Sequence, residues 1–238
     1  KEKKIDAVIL NGCECEPYLT CDHRAMLEET EKIISGLSFL MRAVNVTRGI
    51  IAVEENKMDA IAKIESVIKS RADIHGSINV IPLKVKYPQG GEKQLIYAVL
   101  GRKVPNGKLP MDVGCVVQNV QTGIAVHDAI VEGKPFYERI LTVAGKVKEP
   151  KNLKVRIGTL VSELIEHCGG VSENVGKIIL GGPMMGVAVS KTDIPVIKGT
   201  SGVLLMDSKR QSEFPTAVRR SQDSLWHIVF RLTFRSSK

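Results

Sequence analysis

IDAVILNGCECEP, residues 5–17, decides how this chain is read. Its first six residues are short, β-branched and apolar throughout, the pattern of a strand covered on both faces. Asn-Gly then supplies a bend, and Pro17 presets the exit of the chain. That account covers Asn11, Gly12 and Pro17 but leaves Glu14 and Glu16, set among Cys13 and Cys15, unexplained. Two carboxylates among thiols at the end of a buried strand suit metal ligation, a redox pair or the acidic wall of a ligand pocket.

Cys13, Cys15 and Cys21 are soft ligands in one loop, but C-x-C-x5-C is not the C-x2-C of a zinc site, and the sequence holds no second cluster. A Cys13–Cys15 disulfide is sterically awkward, because side chains two residues apart on an extended chain stand roughly seven Å apart. The third reading has the carboxylates accepting hydrogen bonds from ribose or an isoalloxazine edge, as acidic residues at strand ends do for ribose in dinucleotide-binding folds.

Outward from this turn the pattern alternates. Residues 22–44 carry apolar positions at helical spacing, and GIIAVEE (49–55) is the next strand. Asn56 is placed to cap the following helix. SINVIPLKVKY (77–87) is a third strand, and QGGEKQLIYAVLG (89–101) is a glycine turn opening a helix. VGCVVQNV (113–120) is a fourth strand, followed by a helix from Thr122 with that threonine as its cap. This grammar predicts an α/β domain with a parallel sheet over residues 1–135, whose ligands bind beyond the carboxyl ends of the strands. QGGEK could offer backbone N–H groups to an anion at a helix N-terminus, with Lys93 adding charge. Asn119 and Thr122 stand at another strand-to-helix junction, where a plain capping role also accounts for them.

Near Pro135 the pattern changes. ERILTVAGKV and KNLKVRI read as a hairpin, TLVSELIEHCGG as a helix and KIILGGPMMGVAV as strand, turn and strand. Residues 136–206 are therefore expected to form a small β-grasp domain. The tail 207–238 is basic, lacks a clear period and holds four of the ten aromatic residues, so it reads as disordered or non-native sequence.

The net charge of +8 is misleading about nucleic acid. From Asp207 onward seven Lys or Arg face three Asp or Glu, so half of the excess sits in the tail and the body carries no indicated phosphate-binding face. Five cysteines, an odd number, with a charged opening KEKK in place of a signal peptide, point to a reducing cytosolic setting. No apolar run approaches the roughly 18 residues of a membrane span, so membrane association is expected to be peripheral.

Taken in order, NGCECEPYLTCDHR, KYPQGGEKQLIYAVLGRKVP, VVQNVQT and GTSGVLL resemble the C subunit of the Rnf-type ion-translocating ferredoxin:NAD oxidoreductase, over about residues 4–206. More distantly the chain is similar to the flavin subunit of respiratory NADH dehydrogenase. The resemblance implies a domain binding FMN and NADH, followed by a soluble-ligand-binding β-grasp (SLBB) domain. It implies that Asn11, Glu14 and Glu16 line the flavin and nicotinamide pocket. Gly90, Gly91, Glu92 and Lys93 would form its second wall, and Asn119 and Thr122 would contact the flavin phosphate end. The chemistry implied is hydride transfer from NADH to FMN, then electron exit to 4Fe-4S clusters. The partners implied are the other subunits of a complex on the cytoplasmic face of the inner membrane.

Two family features depart from this sequence. A glycine-rich GxGGAGFPT-type loop would precede Lys1, and two C-x2-C-x2-C-x3-CP runs would follow GTSGVLL, where the cysteine-free tail stands. The expectation is a fragment that keeps the family fold, lacks the clusters and has a damaged flavin site. A non-catalytic β-grasp docking module and a cobalamin-reductase-like flavoprotein are the competing readings.

Overall fold

The structure, a computed structural model, describes residues 3–74, 76–172 and 175–207. The tail beyond Asp207 lies outside the described residues. The chain divides into two compact units, one of the residues up to Cys15 with Asp22–Tyr137, the other of Glu16–Cys21 with the residues from Glu138.

In the first unit, strands β1 (Ala7–Gly12), β2 (Gly49–Glu54), β3 (Ile78–Leu83) and β4 (Cys115–Asn119) pair in the order β3-β2-β1-β4, all parallel. Ile9 stands opposite Ile50 on one side and Val117 on the other. Ala7 to Leu10 are wholly buried, as a strand covered on both faces requires. The helices are α1 (Cys21–Glu28), α2 (Thr30–Ala43), α3 (Met58–Ser70), α4 (Glu92–Leu100) and α5 (Val120–Val131). Ala7, Ile9, Ile50 and Ala52 pack with Leu95 and Ile96 of α4. Leu10, pointing the other way, lies against Gly123 of α5, and α2 packs on both α5 and α3. The α2–α5 crossing is tight enough that a Cβ on Gly36 would overlap the Gly123 carbonyl.

The strand order steps outward from β1 to β3 and then returns to the opposite side of β1. The boundary between β1 and β4 is therefore the topological switch point, where the ends of the strands leave a crevice. Pro82 sits in β3 because β3 is an edge strand.

Local chemistry corrects three sequence expectations. The single helix over 22–44 is broken at Glu29 (φ −117°, ψ 29°), and Thr30 Oγ1 donates to the Met26 carbonyl at 2.6 Å, a back-bond of the kind that bends helices. Asn56 does not cap α3; it lies in a short 3-10 turn (Glu55–Lys57) and its Oδ1 accepts from Lys57 Nζ at 3.3 Å. Helix α5 starts two residues early, capped by Asn119, whose Oδ1 accepts from the Gln121 amide at 2.9 Å; Thr122 falls in the first turn.

The second unit is a mixed sheet of β5 (Glu138–Gly145), β6 (Lys151–Arg156), β7 (Val175–Leu180), β8 (Val187–Val189) and β9 (Gly202–Asp207), ordered β6-β5-β9-β7-β8. Strands β5 and β9 run parallel at its centre, and the other pairs are antiparallel. Helix α6 (Val161–His167) covers one face with Val161, Leu164 and Ile165 over Leu141, Val143, Val203 and Leu205. Tyr18 covers the other, against Ala144, Ile179, Leu204 and Met206. Thr20 adds a hydrogen bond from its amide to Thr142 Oγ1 at 3.0 Å. The second half of the NGCECEPYLTC stretch is thus sheet cover for the β-grasp unit.

Candidate functional site

Four residues meet at the switch point of the first unit. Glu14 follows β1 and turns its carboxylate to the start of α1, accepting from the backbone amides of Asp22 (2.8 Å) and His23 (3.1 Å). Asp22 is buried, and its two oxygens accept from Asn119 Nδ2 and Gln121 Nε2, both at 2.7 Å. The ends of β1 and β4 are thereby joined through α1 by charge-assisted hydrogen bonds. Burial and the nearby Asp22 charge push the Glu14 carboxyl up to about 7, against the opposing pull of Lys57 and the two amides.

The glycine wall is tied to the same turn. Asn11 Nδ2 donates to the Gly90 carbonyl at 2.8 Å, and the Gly90 amide donates to Cys15 Sγ at 3.3 Å. Asn11 Oδ1 in turn accepts from the Cys13 amide at 3.1 Å, so one side chain shapes both the acidic turn and its approach to the wall. A Cβ on Gly90 would stand 3.2 Å from Cys15 Sγ and 3.5 Å from Cys13 Cβ. Helix α4 begins at Glu92 with Gly91 as its cap and no side chain closing its first turn. Glu92 and Lys93 are exposed there, with Lys93 Nζ reaching the Pro105 carbonyl at 3.4 Å.

Asn11, Glu14, Gly90, Gly91, Glu92, Lys93, Asn119 and Thr122 all fall in the first unit, at the carboxyl edge of the parallel sheet. Glu16, expected with Glu14 to line the pocket, falls in the second unit. Its Oε2 accepts from the Met184 amide at 3.0 Å, its Oε1 is buried without a partner among the described residues, and burial raises its pKa. GGPMMG is therefore more than a tight turn: it supplies a backbone donor to a half-buried carboxylate.

Sequence reasoning missed Asp22, Gln121, Gln89, Glu54 and Lys57. Asp22 finds its partners 97 and 99 positions away, a separation that local spacing cannot encode. Gln89 is buried at 2% exposure, and its Oε1 has no hydrogen-bond partner among the described residues. Lys57 Nζ donates to the Cys13 carbonyl at 2.9 Å and faces Glu54 Oε2 at 3.4 Å.

This donor and acceptor set fits a flavin. The orphaned buried acceptor of Gln89 and an uncapped helix start behind two glycines are features that a polar, phosphate-bearing ring compound can complete. Cys13 is no thiolate nucleophile: burial, with the nearby Glu54 charge, pushes its thiol up to about 12, and its Sγ faces the Ala52 carbonyl at 3.8 Å.

Comparison with known proteins agrees. Residues 1–128 match the Nuo51 FMN-binding domain, and residues 140–188 match the SLBB domain. The chain belongs to the Nuo51 FMN-binding family. Within it, the chain is 48% identical over 204 residues to the C subunit of the proton-translocating ferredoxin:NAD(+) oxidoreductase complex of Clostridium ljungdahlii, covering 85% of this chain and 44% of that protein. It is 40% identical over 213 residues to the C subunit of the ion-translocating oxidoreductase complex of Rhodobacter capsulatus, covering 89% of this chain and 40% of that one. The chain thus spans under half the length of these relatives. The fold also matches a crystal structure of an NAD+-reducing NiFe hydrogenase, with a TM-score of 0.72 at 18% identity over 87% of this chain and 41% of that chain. Among the described residues no helix is long and apolar enough to cross a membrane.

Proposed function

We propose that this chain is the FMN- and NADH-binding portion of the C subunit of an ion-translocating ferredoxin:NAD oxidoreductase. The observation that carries this reading is the network joining Glu14, Asp22, Asn119 and Gln121 at the switch point of an FMN-binding-family fold, with the glycine wall tied to the same turn. FMN, when bound, supplies a two-electron acceptor for NADH and a one-electron donor to 4Fe-4S clusters. The residues of this chain bind and orient. Gly90 and Gly91 leave room for close approach, and the first amides of α4 with Lys93 offer positive potential to phosphate. Gln89 provides a buried acceptor, Asn119 and Thr122 contribute at the start of α5, and Glu14 with Glu92 sets the charge beside the redox centre. The other subunits of the complex are the partners, and attachment to the cytoplasmic face of the inner membrane runs through them.

A fluorescence titration of FMN with the polypeptide, with and without NADH, tests this. Saturable quenching is expected, weakened at least tenfold by the exposed substitution Lys93→Ala. Absence of saturation up to millimolar protein overturns the assignment of flavin binding to this chain.

A further inference from the structure

Beneath the acidic turn lies an ion pair that no motif announces. Glu54, the last residue of β2, is fully buried, and Lys57, three residues on, is 6% exposed. Lys57 Nζ donates to the Cys13 carbonyl at 2.9 Å and also faces Glu54 Oε2 at 3.4 Å and Asn56 Oδ1 at 3.3 Å. Glu54 Oε1 accepts from the Lys86 amide at 3.4 Å, immediately ahead of the turn that builds the glycine wall. One end of the pair therefore holds NGCECEP and the other holds the approach to QGGEK.

Burying two charges carries a large desolvation penalty, and well-packed apolar residues often replace such pairs without loss of stability. The value of this pair lies in what it touches. The Cys13 carbonyl belongs to the peptide leading into Glu14, whose φ of +42° is a left-handed conformation unfavourable for a residue with a side chain. Lys57 holds that peptide from one side, and the Asp22 and His23 amides hold the Glu14 carboxylate from the other.

We propose that Glu54–Lys57 is a positioning strut of the flavin pocket, fixing the Cys13–Glu14 peptide in its left-handed turn and the Lys86 segment ahead of the glycine wall, so that the two walls keep their separation. The functional meaning of the strut rests on the flavin reading above; its contacts need no ligand. The charges that face Glu14 are Asp22 from α1, which raises its pKa, and Lys57, which lowers it.

The test uses the full chain and two double variants that leave no unpaired buried charge, Glu54→Gln/Lys57→Gln and Glu54→Met/Lys57→Met. Without ligand, amide hydrogen exchange and a carboxyl-carbon NMR titration of Glu14 are measured. The expected result is that the β1 amides keep wild-type protection, the Asp22 and His23 amides exchange at least tenfold faster, and the Glu14 midpoint rises. Unchanged exchange at Asp22 and His23 with an unchanged midpoint overturns the strut, as does failure of both variants to fold, which would make the pair a folding requirement. FMN quenching is the separate arm. A wild-type chain that binds no FMN sinks the flavin reading while the ligand-free measurements still decide the strut. A wild type that binds, with affinity lost at least tenfold in the folded variants, supports both.

Discussion

Replacing Asp22 by alanine removes the acceptor of two side-chain hydrogen bonds, from Asn119 Nδ2 and Gln121 Nε2, each 2.7 Å long. A hydrogen bond to a charged group contributes about 1.5–3 kcal/mol net, and a buried donor left without a partner keeps its full desolvation cost. Gln121 is 5% exposed, so its loss falls in a buried setting, whereas half-buried Asn119 recovers part of its own bond from water. Removing the Asp22 charge also relieves Glu14, which offsets part of the loss. The sum is a destabilisation of about 2–4 kcal/mol. Asp22→Asn, which keeps one acceptor, should lose about half of that. Urea unfolding of the variants, with amide exchange of β1 and β4 to report on the first unit separately, measures the effect. In the alanine variant the Glu14 titration midpoint should also fall. A loss under about 0.5 kcal/mol, or a Glu14 midpoint that stays in place, would refute the network as the junction of the two strand ends.

Two further outcomes follow from the first unit's packing and charge. Gly36→Ala puts a Cβ into the Gly123 carbonyl, so α2 and α5 must separate; a loss of about 3 kcal/mol is expected by thermal unfolding, and a neutral result would mean the helices do not cross as closely as described. The Glu14 carboxyl is raised from its ordinary 4.5 to about 7, so the folded state binds its proton more tightly than the unfolded state. Its stabilising contribution is full below pH about 4.5 and is lost as pH rises through about 7, by at most about 3 kcal/mol. Denaturant unfolding across that range should show the decline, and Glu14→Gln should flatten it.

The first domain was legible in the sequence because its signals are local. Apolar runs the length of strands, helical spacing between them and glycine turns at the junctions are each encoded within about a dozen residues. Asn11, Gly90 and Asn119 were visible as junction residues for the same reason, and the ordered motifs carried the family. The break at Glu29 and the early start of α5 were less visible: helical spacing continues across Glu29, residues 113–120 read as one strand, and only the bonds from the Thr30 hydroxyl to the Met26 carbonyl and from the Gln121 amide to Asn119 Oδ1 mark them. GTSGVLL served only as one motif of the resemblance, since nothing in its own residues says that its strand, β9, lies between β5 and β7.

The sequence by itself determined that a parallel sheet ends in an acidic turn and that a small second domain follows, because periodicity and turn chemistry act between neighbours. Tertiary structure alone decided which acid serves which unit. Glu14 and Glu16 are two residues apart and alike in chemistry, yet one caps α1 in the α/β unit and the other accepts from Met184 in the β-grasp unit. Asp22, Gln121, Glu54 and Lys57 owe their places to pairings across strand ends, where burial turns a single hydrogen bond or charge into a requirement. Such pairings are made by the sheet order, which no local run of residues contains.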